Sequence, residues 1–231
     1  MKSDEEKTAN ASSQIELSRL EPNEYETTVC GLSFFCDPEV FSPKYFKSTE
    51  INTEGFPFRQ SETLLEIGPG VGVTAVVAAL KQDNSVTAIE INSAAVAIAK
   101  KNATKHGVQN KVRILQGDLF SPLLDGQKFD TIFWDFPFVY TEPNITFESD
   151  FYRAFFDPGY RQIERFLREA PTWLEPGGRI IVGFGSNGNR NLFDNLASGL
   201  GYSFKEVSRG SIGERGGISY LLLESQFPKT A

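Results

Sequence analysis

Two stretches of the sequence carry residue types that could do chemistry together. EIGPGVG, residues 66–72, places an acid and three glycines where an apolar run ends, so a ligand could closely approach the backbone. WDFPF, residues 134–138, ends another apolar run in an acid followed by an aromatic-proline-aromatic step. Glu90 in TAIEIN and Asp118 in LQGDLF also follow apolar runs. Because parallel strands meet ligands at their carboxyl ends, we expect these stretches to form one site.

The glycine spacing indicates which ligand this site binds. A dinucleotide fingerprint reads G-x-G-x-x-G and places phosphates on a helix N-terminus. Here Gly68, Gly70 and Gly72 read G-x-G-x-G, and Glu66 precedes them. A carboxylate there would repel pyrophosphate but suits a cation, and S-adenosylmethionine carries a sulfonium, an amino group and no phosphate. We therefore predict this cofactor, with Glu90 accepting the ribose hydroxyls. A tight turn without a ligand remains the alternative.

Alternating strands and helices must position these residues. Apolar runs of strand length are TLLEI, SVTAIEI, KVRILQ, FDTIFWD and RIIVGFG, and helical patterns are VTAVVAALKQ, SAAVAIAKKNATKH, residues 160–174 and NLFDNLASGLG. YSFKEVS and GISYLLLES follow without a helix between them, so we expect them to pair antiparallel. This order predicts an α/β fold: a Rossmann-like, seven-stranded, mostly parallel sheet with one antiparallel strand and helices on both faces.

In this order of motifs, from about Thr63 to Glu224, the sequence resembles the class I S-adenosylmethionine-dependent methyltransferases. The resemblance implies a cofactor site in which the glycine loop holds the methionine end, Glu90 the ribose, and the turn after the third strand the adenine. The residues implied in cofactor binding are Glu66, Gly68, Gly70, Gly72, Glu90, Ile91, Asp118 and Leu119.

The WDFPF corner resembles the (Asn/Asp)-Pro-Pro-(Tyr/Phe) corner of methyltransferases that modify nitrogens on planar groups, such as glutamine amides in release factors and exocyclic amines of adenine or guanine. The resemblance implies that Asp135 and the carbonyl of Phe136 accept the N–H groups of the methyl acceptor. Pro137 would stiffen the corner and Phe138 would stack on the planar group. Phe136 stands where that corner has its first proline, so we expect a less rigid backbone.

Two further segments resemble the small-domain branch, the release factor glutamine methyltransferases. FSPKYFKSTE is similar to a Pro-x-x-x-(Thr/Ser)-Glu loop, and YRQIERFLREAPTWLEPGGRIIVGFG to a Tyr-Arg…Pro-Gly-Gly segment. We expect a disordered tail over residues 1–20, a strand and loop extension covering the site over 21–60, and the catalytic domain over 61–231. Only about 60 residues precede that domain, so we expect no helical recognition domain.

Composition narrows the class of partner. The net charge of −7 and pI of about 4.9 disfavour binding to bulk RNA. With one histidine and two cysteines, we expect neither a Ser-His-Asp triad nor a His-based metal site, and we predict no metal. The polar amino terminus and the lack of an apolar run near 20 residues predict a cytoplasmic protein that does not cross a membrane.

We therefore predict an N-methyltransferase acting on an amide or amino nitrogen of a protein side chain or small molecule. Two alternatives remain: a methyltransferase of RNA bases, and a non-catalytic module that binds S-adenosylmethionine and supports a partner enzyme. The sequence leaves the oligomeric state open. The aromatic segment 139–157 is long for a connection, and is either a lid over the substrate or packing at the sheet edge.

Overall fold

The computed structural model describes residues 15–147, 149–213 and 217–226. The strands are β1 (Tyr25–Val29), β2 (Leu32–Cys36), β3 (Thr63–Ile67), β4 (Ser85–Glu90), β5 (Val112–Gln116), β6 (Phe129–Trp134), β7 (Val139–Thr141), β8 (Phe156–Pro158), β9 (Leu174–Gly185), β10 (Lys205–Ile212) and β11 (Ile218–Gln226). The α-helices are α1 (Ser48–Glu54), α2 (Val73–Gln82), α3 (Ser93–Lys105), α4 (Arg161–Glu169) and α5 (Arg190–Gly199). Short 3₁₀ helices span Asp150–Ala154 and Ala170–Trp173.

Seven of these strands form the central sheet, in the order β10-β11-β9-β6-β3-β4-β5. β3 pairs in parallel with β4 and β6, β4 with β5, and β6 with β9. β11 runs antiparallel to both β9 and β10. The predicted fold is confirmed, including the antiparallel strand, because no helix follows β10 to carry the chain back across the sheet.

Strand alternation divides the core into two layers. Leu64, Phe133 and Ile181 pack on one face of the sheet with α2 and α3, whereas Leu65 and Ile132 pack on the other with α4 and α5. Successive side chains of a strand point to opposite faces. This alternation decides which side chains at the strand ends can meet.

The helical stretch predicted over residues 160–174 is divided in the structure. α4 ends at Glu169 and a 3₁₀ helix continues to Trp173. Pro171 lies at the start of the 3₁₀ helix, and proline lacks the N–H that an α-helix would need there. β9 then begins at Leu174, earlier than the predicted RIIVGFG, and includes the Pro-Gly-Gly step.

The amino-terminal region packs on the sheet domain. β1 and β2 form an antiparallel hairpin against α3, and α1 lies against α2 and β10. Residues 15–18 are helical, and Ile15 is only 1% exposed within a cluster of phenylalanines. The predicted tail over 1–20 therefore differs from the structure at Ile15, because burial of its apolar side chain anchors the segment. Residues 1–14 lie outside the described residues.

A buried arginine holds together the sheet end opposite the predicted site. Arg179 in β9 is 2% exposed and donates to Thr131 Oγ1 at 2.9 Å, Glu62 Oε2 at 3.2 Å and Glu224 Oε2 at 3.0 Å. Its Nη2 also donates to the Pro57 carbonyl at 2.7 Å. Several charge-assisted bonds offset the desolvation of the guanidinium, and they join β6, β9 and β11 to the amino-terminal extension.

None of the helices in the part of the chain that the structure describes combines the length and apolar character that a membrane crossing requires. In the same residues, no group of three or more His, Cys, Asp or Glu side chains is placed to hold a metal ion. The His106 ring lies beside Phe34 and its Nε2 is 2.9 Å from the Ser33 carbonyl, which gives it a packing role at the end of α3.

Candidate active site

A cavity of about 1410 Å³ opens at the carboxyl ends of the parallel strands. Among the predicted site residues, all but Gly72 line it, namely Glu66, Gly68, Gly70, Glu90, Ile91, Asp118, Leu119, Asp135, Phe136, Pro137 and Phe138. The glycine loop, the two acidic strand ends and the corner after β6 thus share one space. The parallel pairing of β3 with β4 and β6 brings these distant parts of the sequence together.

Three glycines shape the loop after β3, each with a positive φ that favours glycine: Gly68 at 62°, Gly70 at 55° and Gly72 at 87°. A Cβ on Gly70 would meet nothing within 4 Å, so the backbone there borders open space. A Cβ on Gly72 would lie 3.3 Å from Cβ of Ala99, and the Gly72 N–H donates to the Pro69 carbonyl at 2.8 Å. Gly72 closes the turn and lets α3 approach, and its contact with a cofactor stays a prediction.

Glu66 is the most buried acid of the loop, at 4% exposure. Its pKa is raised to about 8, mainly by burial and to a smaller extent by the nearby carboxylates of Asp135 and Glu90, while hydrogen bonds from the Thr74 hydroxyl and the Ala75 N–H oppose the rise. Glu66 Oε2 has no hydrogen-bond partner among the described residues. A buried carboxylate oxygen without a partner is costly, and a cation in the cavity would remove that cost.

Glu90 is held in place by two backbone donors. Its Oε1 accepts from the Asn92 N–H at 2.9 Å and its Oε2 from the Gly70 N–H at 3.2 Å. The second bond ties the end of β4 to the glycine loop after β3. The carboxylate therefore has a defined orientation at the cavity wall, where it can accept hydroxyl groups.

Asp118 lies at the cavity wall beyond β5 and is joined to α4 by an ion pair. Its Oδ2 accepts from Arg165 Nη1 at 2.6 Å, and Arg165 Nε donates to Glu169 Oε1 at 2.8 Å. The next residue, Leu119, is 5% exposed and has a φ of 49°. Arg165 was not predicted from the sequence, because its only local signal is its spacing of four residues from Glu169.

Asp135 follows β6 on the same face of the sheet as Glu66. It is half-buried, and its Oδ1 has neither solvent contact nor a hydrogen-bond partner in the described chain. A Cβ on Gly183 would lie 2.0 Å from this oxygen and 2.9 Å from Asn52 Nδ2 of α1. Burial raises the pKa of Asp135 to about 6, and the neighbouring Asn52 amide opposes the rise. Neither Gly183 nor Asn52 was predicted from the sequence as part of the site.

Phe136, at the position of the missing proline, points into the core. Its side chain is 1% exposed and its ring stacks on Phe193 at 5.7 Å between centroids. It also meets Tyr160 edge-on at 5.9 Å. Trp134, two residues earlier, packs in the same core layer as Phe136. Its side chain therefore points to the opposite face of the sheet from Asp135, as predicted. The packing of the Phe136 ring thus anchors the corner, which lacks the rigid proline ring at this position.

Phe138 ends the corner against β9 and β11. Its ring lies 6.0 Å from that of Phe184 and 6.2 Å from that of Tyr220, and a Cβ on Gly185 would come within 2.4 Å of it. The Phe138 carbonyl accepts from the Tyr160 hydroxyl at 2.5 Å. Gly185 is therefore required for the close packing of β9 against this ring. The repeated glycines of VGFG are the sequence signal that could have identified this contact.

Two aromatic segments contribute much of the remaining cavity wall, which residues 186–191, 217, 218 and 220 also line. The amino-terminal extension contributes Val40, Phe41, Pro43, Phe46, Ser48 and Thr49. Residues 143, 145–147, 149, 151 and 153–158 line it from the segment after the corner, where β7 pairs in parallel with β8. Phe151, Phe155 and Phe156 also pack in one cluster with Phe46. The aromatic segment therefore packs on the amino-terminal extension and borders the cavity, and its role as a lid stays a prediction.

A family model, the Methyltransferase small domain, matches residues 31–196. The chain belongs to this family. The match runs from the β1–β2 hairpin to α5 and so includes the carboxyl ends of the parallel strands that border the cavity. The predicted membership of the small-domain methyltransferases is confirmed.

Curated relatives in this family have names that concern glutamine. The chain is 32% identical over 168 residues to a release factor glutamine methyltransferase of Geobacter sulfurreducens, covering 68% of this chain and 57% of that protein. It is 31% identical over 187 residues to a ribosomal protein uL3 glutamine methyltransferase of Bradyrhizobium diazoefficiens, covering 71% of this chain and 56% of that protein. The chain thus spans little more than half the length of these relatives.

Solved structures share the fold at lower identity. A methyltransferase from Pyrococcus furiosus superposes with a TM-score of 0.62 at 20% identity, covering 95% of this chain and 99% of that one. A 16S rRNA methyltransferase from T. Thermophilus, solved in complex with AdoMet and guanosine, gives a TM-score of 0.58 at 17% identity, covering 88% and 50%. At these identities the likeness concerns the fold.

Proposed function

We propose that this chain methylates an amide or amino nitrogen of a protein side chain, with S-adenosylmethionine as the methyl donor. The observation that carries the proposal is the pair of buried carboxylate oxygens in one cavity, Glu66 Oε2 and Asp135 Oδ1, which both lack a hydrogen-bond partner among the described residues. The first suits a cation and the second an N–H donor. The names of the relatives support a glutamine amide as the acceptor.

The cofactor end of the cavity fits S-adenosylmethionine. When bound, this cofactor supplies a methyl group that a sulfonium makes electrophilic. Glu66 would hold the cationic methionine end, and Glu90, fixed by two backbone N–H groups, would accept the ribose hydroxyls. Asp118 and Leu119 would border the adenine, with Ile91 against its face. Gly70, where a Cβ would meet nothing within 4 Å, leaves room for the ligand beside the backbone, and Gly68 lines the same cavity.

The corner would orient the acceptor nitrogen. An amide nitrogen has a delocalised lone pair and is a poor nucleophile, so catalysis depends on holding it in line with the methyl group. Asp135 and the Phe136 carbonyl would accept its two N–H groups, and the Phe138 ring would stack on the planar amide. Pro137 and the buried ring of Phe136 keep this corner in place.

The cavity volume supports an acceptor that enters as part of a larger molecule. About 1410 Å³ exceeds the roughly 300–1,000 Å³ of a typical small-ligand pocket, so space remains beside the cofactor. The cavity wall includes the aromatic rings of Phe41, Phe46, Phe147 and Phe156. Because the named targets of the relatives are a release factor and a ribosomal protein, the cytoplasm is the compartment that this proposal implies.

The test is transfer of labelled methyl groups to a cell extract separated into protein, RNA and small-molecule fractions. We expect label in the protein fraction, recovered after digestion as methylated glutamine. The Asp135→Ala variant should lose transfer while its cofactor affinity stays within a few-fold. Label in the RNA fraction would favour a base methyltransferase. Cofactor binding without transfer to any fraction would make the chain a non-catalytic binding module.

A further inference from the structure

Asp135 differs from an asparagine at the same position in one chemical respect, because a carboxylate can take up a proton. The product of N-methylation must lose a proton, since nitrogen gains a bond to carbon. Building on the proposed function, we propose that Asp135 is the base that receives this proton, and that Asn52 positions its carboxylate.

The step balances without a further reactant. The nitrogen lone pair forms the bond to the methyl carbon, and the bond from that carbon to sulfur breaks with its electron pair left on sulfur. The N–H proton passes to the Asp135 carboxylate, and the electron pair of that N–H bond becomes the new lone pair on nitrogen. Asp135 then returns the proton to solvent through the cavity that it lines.

The surroundings of Asp135 suit a base. With a pKa of about 6, Asp135 is ionised at neutral pH. Because this pKa is close to neutral pH, the carboxylate can also accept a proton readily, as a general base must. The titratable groups that face it are Glu66 on β3 and Tyr220 on β11, since each interacts electrostatically with Asp135. From α1 the neutral Asn52 amide approaches, and β9 offers only Gly183.

Asn52 reaches Asp135 from outside the Rossmann-like core. It is 2% exposed, lies on α1 of the amino-terminal extension, and lowers the pKa of Asp135 against the effect of burial. Both Asn52 Nδ2 and Asp135 Oδ1 lie within 3 Å of the position where a Gly183 Cβ would be, so the two atoms are neighbours. The extension therefore supplies a positioning residue for the corner.

The test compares single-turnover transfer from methyl-labelled S-adenosylmethionine, at saturating cofactor, to the protein fraction of a cell extract. Asp135→Asn keeps an acceptor oxygen but cannot take up a proton. We expect it to slow transfer by roughly 100-fold or more and to abolish both the acidic limb of the pH profile and the solvent deuterium isotope effect. Asn52→Leu should retain the acidic limb of the pH profile but move it to higher pH, because the Asn52 amide lowers the pKa of Asp135.

Asp157→Asn is the matched control. Asp157 also lines the cavity, and burial raises its pKa to about 6, but its carboxylate accepts the Gln162 and Ile163 N–H groups at the start of α4. Its variant should keep the acidic limb and the isotope effect. Transfer by Asp135→Asn within a few-fold of wild type would show that Asp135 is only a hydrogen-bond acceptor. If wild type transfers to no fraction, the proposed function fails, and this inference with it.

Discussion

Cofactor binding should release a proton from Glu66, and this can be measured without an acceptor. With a pKa of about 8, Glu66 is protonated in about nine of ten molecules at pH 7. A cationic ligand binds to the ionised form, so each cofactor bound at pH 7 should release close to one proton. Because Glu66 must lose its proton before the cation binds, binding at pH 7 should be weaker than at pH 9 by about tenfold, or about 1.4 kcal/mol.

Calorimetry in two buffers that differ in ionisation enthalpy measures the released protons directly. Between pH 6 and 7 the affinity of wild type should rise nearly tenfold, whereas Glu66→Gln should bind more weakly and with little pH dependence. This range lies below the pKa of a typical α-amino group, about 7.7–8.0, so the ligand contributes little. Equal proton release by wild type and Glu66→Gln would refute the assignment of the proton to Glu66.

The same residue makes folding stability depend on pH in a defined direction. Its pKa is raised in the folded state from an ordinary value of 4.5. Between those values the native state binds more protons than the unfolded chain, so stability falls as pH rises from 4.5 to 8 and levels off above. Without cofactor, Glu66→Gln should therefore be more stable than wild type at pH 8 by a few kcal/mol in urea unfolding, and the difference should shrink towards pH 4.5.

Two further substitutions test the packing, one beside the site and one at the opposite end of the sheet. Gly183→Ala places a methyl group 2.0 Å from Asp135 Oδ1. Methyl transfer should therefore fall by roughly 100-fold, while cofactor affinity stays within a few-fold of wild type. The control Gly199→Ala, whose Cβ meets open space, should transfer methyl groups at the wild-type rate. Arg179→Met should cost about 3–5 kcal/mol in denaturant unfolding, because the buried Glu62 carboxylate loses its buried cation and keeps only the half-exposed Arg59, 3.8 Å away, as an ion-pair partner. A loss below 1 kcal/mol would show that the network contributes little.

Phe136 shows how a departure from a motif is accommodated by packing. Where the related corner has proline, this chain has a side chain that is 1% exposed among Phe193, Tyr160 and Trp134. The sequence predicted a less rigid backbone from the missing ring. The structure supplies another constraint, because a buried phenylalanine among aromatic rings cannot move without losing those contacts.

The sequence by itself determined the order of strands and helices and the ligand-facing strand ends. Apolar runs alternating with helical patterns are local signals, and they sufficed for the parallel sheet and its antiparallel strand. EIGPGVG combines an acid with three glycines, and Gly68, Gly70 and Gly72 all adopt a positive φ in the structure. These features could be predicted because each depends on residues close together in the chain.

Only the tertiary structure decided what surrounds Asp135 and Asp118. Asn52, Gly183 and Arg165 are far from those acids in sequence, and they meet them because α1 packs beside the sheet, β9 pairs with β6, and α4 crosses near the end of β5. Burial, and with it the raised pKa of Asp135, depends on this packing rather than on residue type. Local pattern carries no information on such contacts, since they form only when distant segments fold together.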